Sequence, residues 1–150
     1  MPPFLSQLRD LSVEAAINTM EEHRVPADGR CQFTAFVKAA KSANVKLLSE
    51  DADALRGSVV SYLRGQEDWT DFLVSAANSR DDYLSRMLLP TTWGDNITLQ
   101  ALCDISDARA VVQRRDGSIS YVDNKSGAGR TAVYLKYDEH LRHYSALVKK

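Results

Sequence analysis

Leu5, Leu8, Leu11, Ala15, Ile17 and Met20 recur at helical spacing, and Ser12 is placed to break this stripe and cap a second helix. Residues 25–30 carry Pro26 and Gly29 and form a loop. From Cys31 onward, Phe33, Phe36, Val37 and Ala40 share one side of a further helix. Ser49 is the expected cap of the next helix, with Glu50, Asp51 and Asp53 in the first turn, where the helix dipole favours acids. Leu55, Val59, Tyr62 and Leu63 make its apolar stripe, and Gly65 is placed to end it. A helix over residues 80–89 stops at Pro90, and another follows Trp93-Gly94-Asp95, carrying Ile97, Leu99, Ala101, Leu102 and Ile105. The period then changes. Ala110-Val111-Val112-Gln113 and Ile119-Ser120-Tyr121-Val122 read as strands joined through Asp116-Gly117, a hairpin signal. Residues 125–129 form a polar, glycine-containing loop, residues 131–137 a strand, residues 138–142 a turn and residues 144–148 a last short strand. Helices first and strands afterwards define an α+β class, with helices packed on a small, mostly antiparallel sheet.

At 150 residues, 44% of them hydrophobic, the chain is long enough for one domain spanning residues 1–150 with its own core. A net charge of −1 with interspersed acids and bases, and no block of Lys or Arg, argues against nucleic acid or a charged membrane surface as partner. No stretch approaches the roughly 20 apolar residues that span a bilayer, so no membrane insertion is expected. The opening Met1-Pro2-Pro3-Phe4 lacks the basic and apolar regions of a signal peptide. Two cysteines, Cys31 and Cys103, build no disulfide framework and suit a reducing compartment. A cytosolic protein, or a domain of a longer one, is expected.

Cys31 follows the Pro26–Gly29 loop and opens a helix. Unpaired amides at a helix start favour a thiolate. With those of the preceding loop they can also hold the oxyanion formed when a carbonyl is attacked. Gly29 admits backbone conformations that a side chain forbids, and Arg30 adds a positive charge. Cys103, between Leu102 and Asp104 in a helix, reads as core. A thiol nucleophile needs a base, and three histidines are present. His23 lies in the charged stretch Glu21-Glu22-His23-Arg24, read as a solvated helix end, and His140 lies in a turn. His143 directly precedes a strand, where a sheet edge holds a base rigidly. His140 and His143 are three apart, but no third and fourth ligand stands at a convincing spacing, so no metal is expected.

Asp28-Gly29-Arg30-Cys31-Gln32-Phe33 entering a helix, and His143-Tyr144-Ser145-Ala146-Leu147-Val148 as a terminal strand, together resemble the ovarian-tumour (OTU) family of cysteine deubiquitinases. A third family-like segment lies between them in the expected order: Tyr83-Leu84-Ser85-Arg86-Met87, then Trp93-Gly94-Asp95-Asn96-Ile97-Thr98-Leu99-Gln100-Ala101-Leu102. The resemblance runs from about Val25 to the end of the chain. It implies a papain-like fold with the catalytic Cys31 at a helix N-terminus, and a thiol chemistry needing no cofactor. Cys31 is then the nucleophile toward the C-terminal carbonyl of ubiquitin or a ubiquitin-like modifier, and His143 its general base. Backbone amides of Asp28, Gly29, Arg30 and Cys31 form the oxyanion hole. Trp93 and Gly94 lie beside the cleft, where a Trp wall narrows the channel for a Gly-Gly tail; plain packing of Trp93 on the core is the alternative.

One departure concerns the third catalytic member. Many OTU domains carry Asn or Asp two residues after the histidine, and here that position is Ser145, an uncharged candidate for orienting the imidazole. Asp28 is the other candidate, for the third role or for shaping the oxyanion hole; a loop aspartate capping the Cys31 helix explains it equally well. The implied partner is ubiquitin or a ubiquitin-like protein and its conjugates. The domain is expected to be monomeric, alone or within a longer protein, and to work in the cytosol, the host's if its source is a virus or a bacterial effector. The rival functions are an OTU-fold module that grips ubiquitin without cleaving it and a Cys-His protease of unrelated peptides. Retention of Cys31, Gly29 and His143 favours an enzyme.

Overall fold

A computed structural model describes residues 3–73, 79–127 and 131–150. Helix α1 (Pro3–Asn18) runs straight through Ser12, so the break expected there does not form. Val13 and Ile17, one turn apart, bury together against Val111 and Leu147, and an unbroken helix keeps both on that face. Leu5 and Leu8 have side chains outside the description. Thr19 closes the helix, its amide and hydroxyl both donating to the Ala16 carbonyl. The chain then leaves as strand β1 (Met20–His23), not as the solvated helix end expected from Glu21-Glu22-His23-Arg24. β1 is an edge strand with largely exposed side chains, so it shows no apolar alternation from which to be read.

Helix α2 (Cys31–Ser42) buries Phe33, Phe36, Ala39 and Ala40. Helix α3 (Ala52–Arg64) is capped by Asp51 rather than Ser49: the Asp51 carboxylate accepts from the Ala54 amide at 2.9 Å, while the Ser49 hydroxyl accepts from Asp51 itself. Gly65 does end it. A short 3-10 helix, Asp68–Phe72, carries no periodic signal. Helix α4 (Arg80–Met87) is capped by Ser79, and α5 (Asn96–Ser106) by a reciprocal box between Asp95 and Thr98. Strands β2 (Arg109–Arg114) and β3 (Ile119–Val122) form the expected hairpin, with Gly117 at φ 89°. Of the loop expected at 125–129, residues 128 and 129 lie outside the described residues. Strands β4 (Ala132–Asp138) and β5 (His143–Lys149) complete a five-stranded sheet ordered β1-β5-β4-β2-β3. It is mixed: β2 and β4 run parallel and the other neighbours antiparallel.

β5 is buried along almost its whole length because it is covered on both faces. Tyr144, Ala146 and Val148 join the main core with α2, while Leu147 joins the smaller cluster under α1. Cys103 is fully buried in the main core, and burial pushes its thiol up to about 12, as suits a packing residue.

One charged side chain ties the loops around Cys31 to this core. Arg56 of α3 is 1% exposed, and its guanidinium lies 4.5 Å from the centre of the Phe33 ring. Nη1 donates to the carbonyls of Met87 (3.0 Å) and Thr92 (2.8 Å), and Nη2 to those of Gly29 (2.8 Å) and Pro90 (3.1 Å). The loop before α2 and the loop between α4 and α5 are thereby held to one cation. They approach so closely that a Cβ on Gly29 would stand 2.4 Å from the Thr91 carbonyl carbon. Gly29 is therefore required by contact, not by backbone conformation; among the described glycines, positive φ falls on Gly117 and Gly127. Arg56→Leu strips four carbonyls of a donor. At about 1–3 kcal/mol for each one left buried and unmet, urea unfolding should show a loss of at least about 3 kcal/mol. A loss below about 1 kcal/mol would mean that water already serves these carbonyls.

Candidate active site

Cys31 is the first residue of α2 and is 1% exposed. Its Sγ lies 3.9 Å from the Arg142 carbonyl oxygen and faces the Tyr144 amide. The sulfur thus rests against the main chain on both sides of His143. Burial pushes the thiol above its ordinary pKa, Asp28 adds to the rise, and the Tyr144 amide opposes it. The expected help from Arg30 is absent. Its guanidinium turns outward to Asp53, with Nε 2.8 Å from Oδ1 and Nη2 3.3 Å from Oδ2.

The loop before Cys31 is a set of tight turns. The Asp28 amide donates to the Pro26 carbonyl at 3.0 Å, and the Cys31 amide to the Asp28 carbonyl at 3.1 Å. The Asp28 carboxylate accepts from the Arg30 amide at 2.9 Å, so it shapes the loop and makes no bond to His143. Three of the four amides expected at an oxyanion hole, those of Asp28, Arg30 and Cys31, are therefore already engaged. The Gly29 amide has no hydrogen bond among the described residues.

His143 is the first residue of β5 and is 4% exposed. Its Nε2 lies 2.8 Å from the Val25 carbonyl oxygen. A carbonyl only accepts, so Nε2 carries the hydrogen and the neutral ring keeps its lone pair on Nδ1, as a base needs. No hydrogen bond joins this ring to Sγ among the described residues. Ser145, expected as the orienting group, points elsewhere: its hydroxyl donates to Glu22 Oε2 at 2.6 Å, and Lys136 Nζ stands 3.6 Å from Oε1 of the same carboxylate. Burial works against the Glu22 charge, yet Ser145 with Lys136 and Arg24 holds the carboxyl below its ordinary value.

Gln32, fully buried beside Cys31, carries the site across to the α4–α5 loop. Its Nε2 donates to the Asp95 carbonyl at 2.9 Å, and its Oε1 accepts from the Thr98 hydroxyl at 2.7 Å. A Cβ on Gly94 would stand 2.2 Å from that Oε1, so glycine here lets Gln32 keep its two bonds with the loop this close. Trp93 is 38% exposed and, with Gly94, Arg142 and Tyr144, lines a groove of about 410 Å³. His23 and His140 are exposed and stand outside the site.

Two parts of the site left little trace in the sequence. Arg56 sits in an otherwise ordinary amphipathic helix, and the only mark of its role is a cation on the apolar side. The Val25 carbonyl has no signature of its own beyond the proline that follows it.

The family model described as OTU-like cysteine protease matches residues 26–146. The chain is 29% identical over 131 residues to ovarian tumour domain-containing deubiquitinating enzyme 10 of Arabidopsis thaliana, covering 84% of this chain and 34% of the plant protein. It is 31% identical over 110 residues to a Tipula iridescent virus protein provisionally named a ubiquitin thioesterase, covering 65% of this chain and 12% of the viral one. The chain thus spans about a third or less of the length of these relatives. Among solved structures, an OTU deubiquitinase from Wolbachia pipientis wMel bound to ubiquitin superposes with a TM-score of 0.67 at 16% identity, over 88% of this chain and 97% of that one. With a family match that runs from Pro26, in the loop before Cys31, through most of the His143 strand, the chain belongs to the OTU-like cysteine protease family.

Proposed function

We propose that this chain is a cysteine-type deubiquitinase that cleaves isopeptide or peptide bonds at the C-terminus of ubiquitin or a ubiquitin-like modifier. The observation that carries this reading is the seating of the Cys31 thiol against the two residues that flank His143, within a chain of this family. Support for the substrate comes from the plant relative, named a deubiquitinating enzyme, and from the Wolbachia structure, a deubiquitinase bound to ubiquitin.

In this mechanism His143 Nδ1 takes the thiol proton, and Sγ attacks the C-terminal glycine carbonyl. The oxyanion is met first by the free Gly29 amide. It gains further donors when substrate releases the Arg30 and Cys31 amides from Asp28. The imidazolium then returns its proton to the departing amine, leaving a thioester. His143 next draws a proton from water, which attacks the thioester and frees Sγ. Trp93 and Gly94 border the channel for the glycine tail. Two free cysteines suit a reducing milieu, so we propose that this activity works in the cytosol, the host's for a viral or bacterial source.

A second reading, a ubiquitin-binding module, draws on the buried thiol that makes no bond to the imidazole. A ubiquitin C-terminal electrophile separates the two. The enzyme becomes covalently labelled at Cys31 and a binder stays unlabelled, which would end the hydrolase reading. Cys31→Ala should lower hydrolysis of a fluorogenic ubiquitin amide by about 10⁴-fold or more while its melting profile stays cooperative. Ser145→Ala should keep kcat within about threefold, because its hydroxyl serves Glu22 and not the imidazole. The resting thiol also sets a pH dependence. A raised pKa keeps sulfur protonated at neutral pH, so iodoacetamide alkylation of the free protein should still be accelerating as pH passes about 9. A plateau reached near neutrality would reveal a preformed thiolate–imidazolium pair.

A further inference from the structure

We infer that the group positioning the His143 imidazole is the main-chain carbonyl of Val25, fixed by Pro26, so that the third member of the triad is an uncharged backbone oxygen. This rests on the hydrolase reading above and deepens it.

The β1–β5 ladder ends where His23 pairs with Ala146, so Val25 lies two residues beyond its last rung. Val25 is 6% exposed, and its carbonyl is buried without a strand partner. A buried carbonyl needs a donor, and the His143 Nε2–H at 2.8 Å is the one present. Pro26 makes this acceptor well suited to a fixed role. It confines Val25 to extended backbone, which aims the carbonyl, and the tertiary amide it forms is a strong acceptor. The two side-chain candidates are committed elsewhere: Ser145 to Glu22, and Asp28 to the Arg30 amide.

The arrangement fixes the ring in the tautomer with hydrogen on Nε2, leaving Nδ1 as base. A wrong tautomer is known to be costly in such triads even where geometry is intact. A neutral acceptor also does less than a carboxylate to stabilise imidazolium. That agrees with a resting site in which the thiol keeps its proton.

The test uses the bond between Arg30 and Cys31 as a ligation junction. A synthetic thioester of residues 1–30 is joined to residues 31–150, once with alanine at position 26 and once with L-lactic acid there. The two proteins have the same side chains, but the ester weakens the Val25 carbonyl as an acceptor. Relative to the alanine form, the ester form should show kcat lowered by at least about fivefold on a fluorogenic ubiquitin amide, with KM within about twofold. In parallel, ¹⁵N spectra of histidine-labelled wild-type protein, with His143→Gln supplying the assignment, should show the neutral ring protonated on Nε2. Equal kcat in the two ligated forms, or a neutral ring protonated on Nδ1, overturns the inference. If the ligated chains do not fold, the tautomer measured on the recombinant protein decides alone. A wild type that hydrolyses no ubiquitin substrate fails the deubiquitinase reading instead, while an active wild type with the Nδ1 tautomer fails only this one.

Discussion

The site exists because the start of α2 is pressed against the start of β5. Cys31 and Arg142 are 111 positions apart in sequence, yet sulfur and carbonyl oxygen meet at 3.9 Å. What brings them together is not chemistry at the site but the burial of β5 on both faces. Tyr144, Ala146 and Val148 pack under α2, and Leu147 packs under α1. A strand covered on both sides has no freedom to slide, because a one-residue slip would carry each of these side chains to the wrong layer. The register Leu135↔Ala146 to Asp138↔His143 then fixes where the histidine emerges. The geometry of the candidate site is inherited from core packing.

Around that fixed point the loops are held by polar contacts that an apolar core could not supply. Arg56 gathers four carbonyls, and Gln32 bridges α2 to the Trp93-Gly94 loop. Burying a cation is expensive unless its hydrogens find partners. Here the partners of Nη1 and Nη2 are carbonyls that themselves need donors, so each offsets part of the other's penalty, while Nε stays buried without a hydrogen-bond partner among the described residues. Two glycines complete the fit by letting backbone or side chain approach where a Cβ would collide. The contrast with Gly117 is instructive: that glycine answers a dihedral demand, while Gly29 and Gly94 answer a demand for space.

How much of this could be read beforehand follows from where each signal resides. α2, α3, α5, the β2–β3 hairpin and the last strand carry periodic apolar positions or turn residues, and all appear where periodicity places them. β1 carries Glu21, Glu22 and His23 because an edge strand may be charged, so its pairing with β5 left no pattern. The parallel pairing of β2 with β4 is likewise a property of the whole sheet, not of either strand. At the candidate site, Cys31 and His143 lie in short motifs of distinctive spacing, which single them out in the sequence, and the fold brings their segments together. The partner of Ser145 has no such signal, because Glu22 stands 123 positions away on the charged edge strand. Arg30 misled for a related reason: proximity in sequence to Cys31 said nothing of Asp53, which takes its charge.

A buried, protonated thiol beside an imidazole anchored to a carbonyl describes a site whose sulfur rests uncharged. Sulfur held by the Arg142 carbonyl and the Tyr144 amide is shielded from solvent at rest, and burial disfavours the charge it must acquire. The same low-dielectric setting strengthens every dipole aimed at a developing oxyanion once substrate has entered. Under the proposed function, entry of a substrate tail along the Trp93-Gly94 groove would displace the sulfur from its backbone partners and bring it to Nδ1. The proton transfer would then occur only when a carbonyl is present to be attacked. On this view the Asp28 turn, which holds two amides closed at rest, and the Val25 carbonyl, which holds the ring correctly poised, divide the labour. One must yield to substrate, and the other must not.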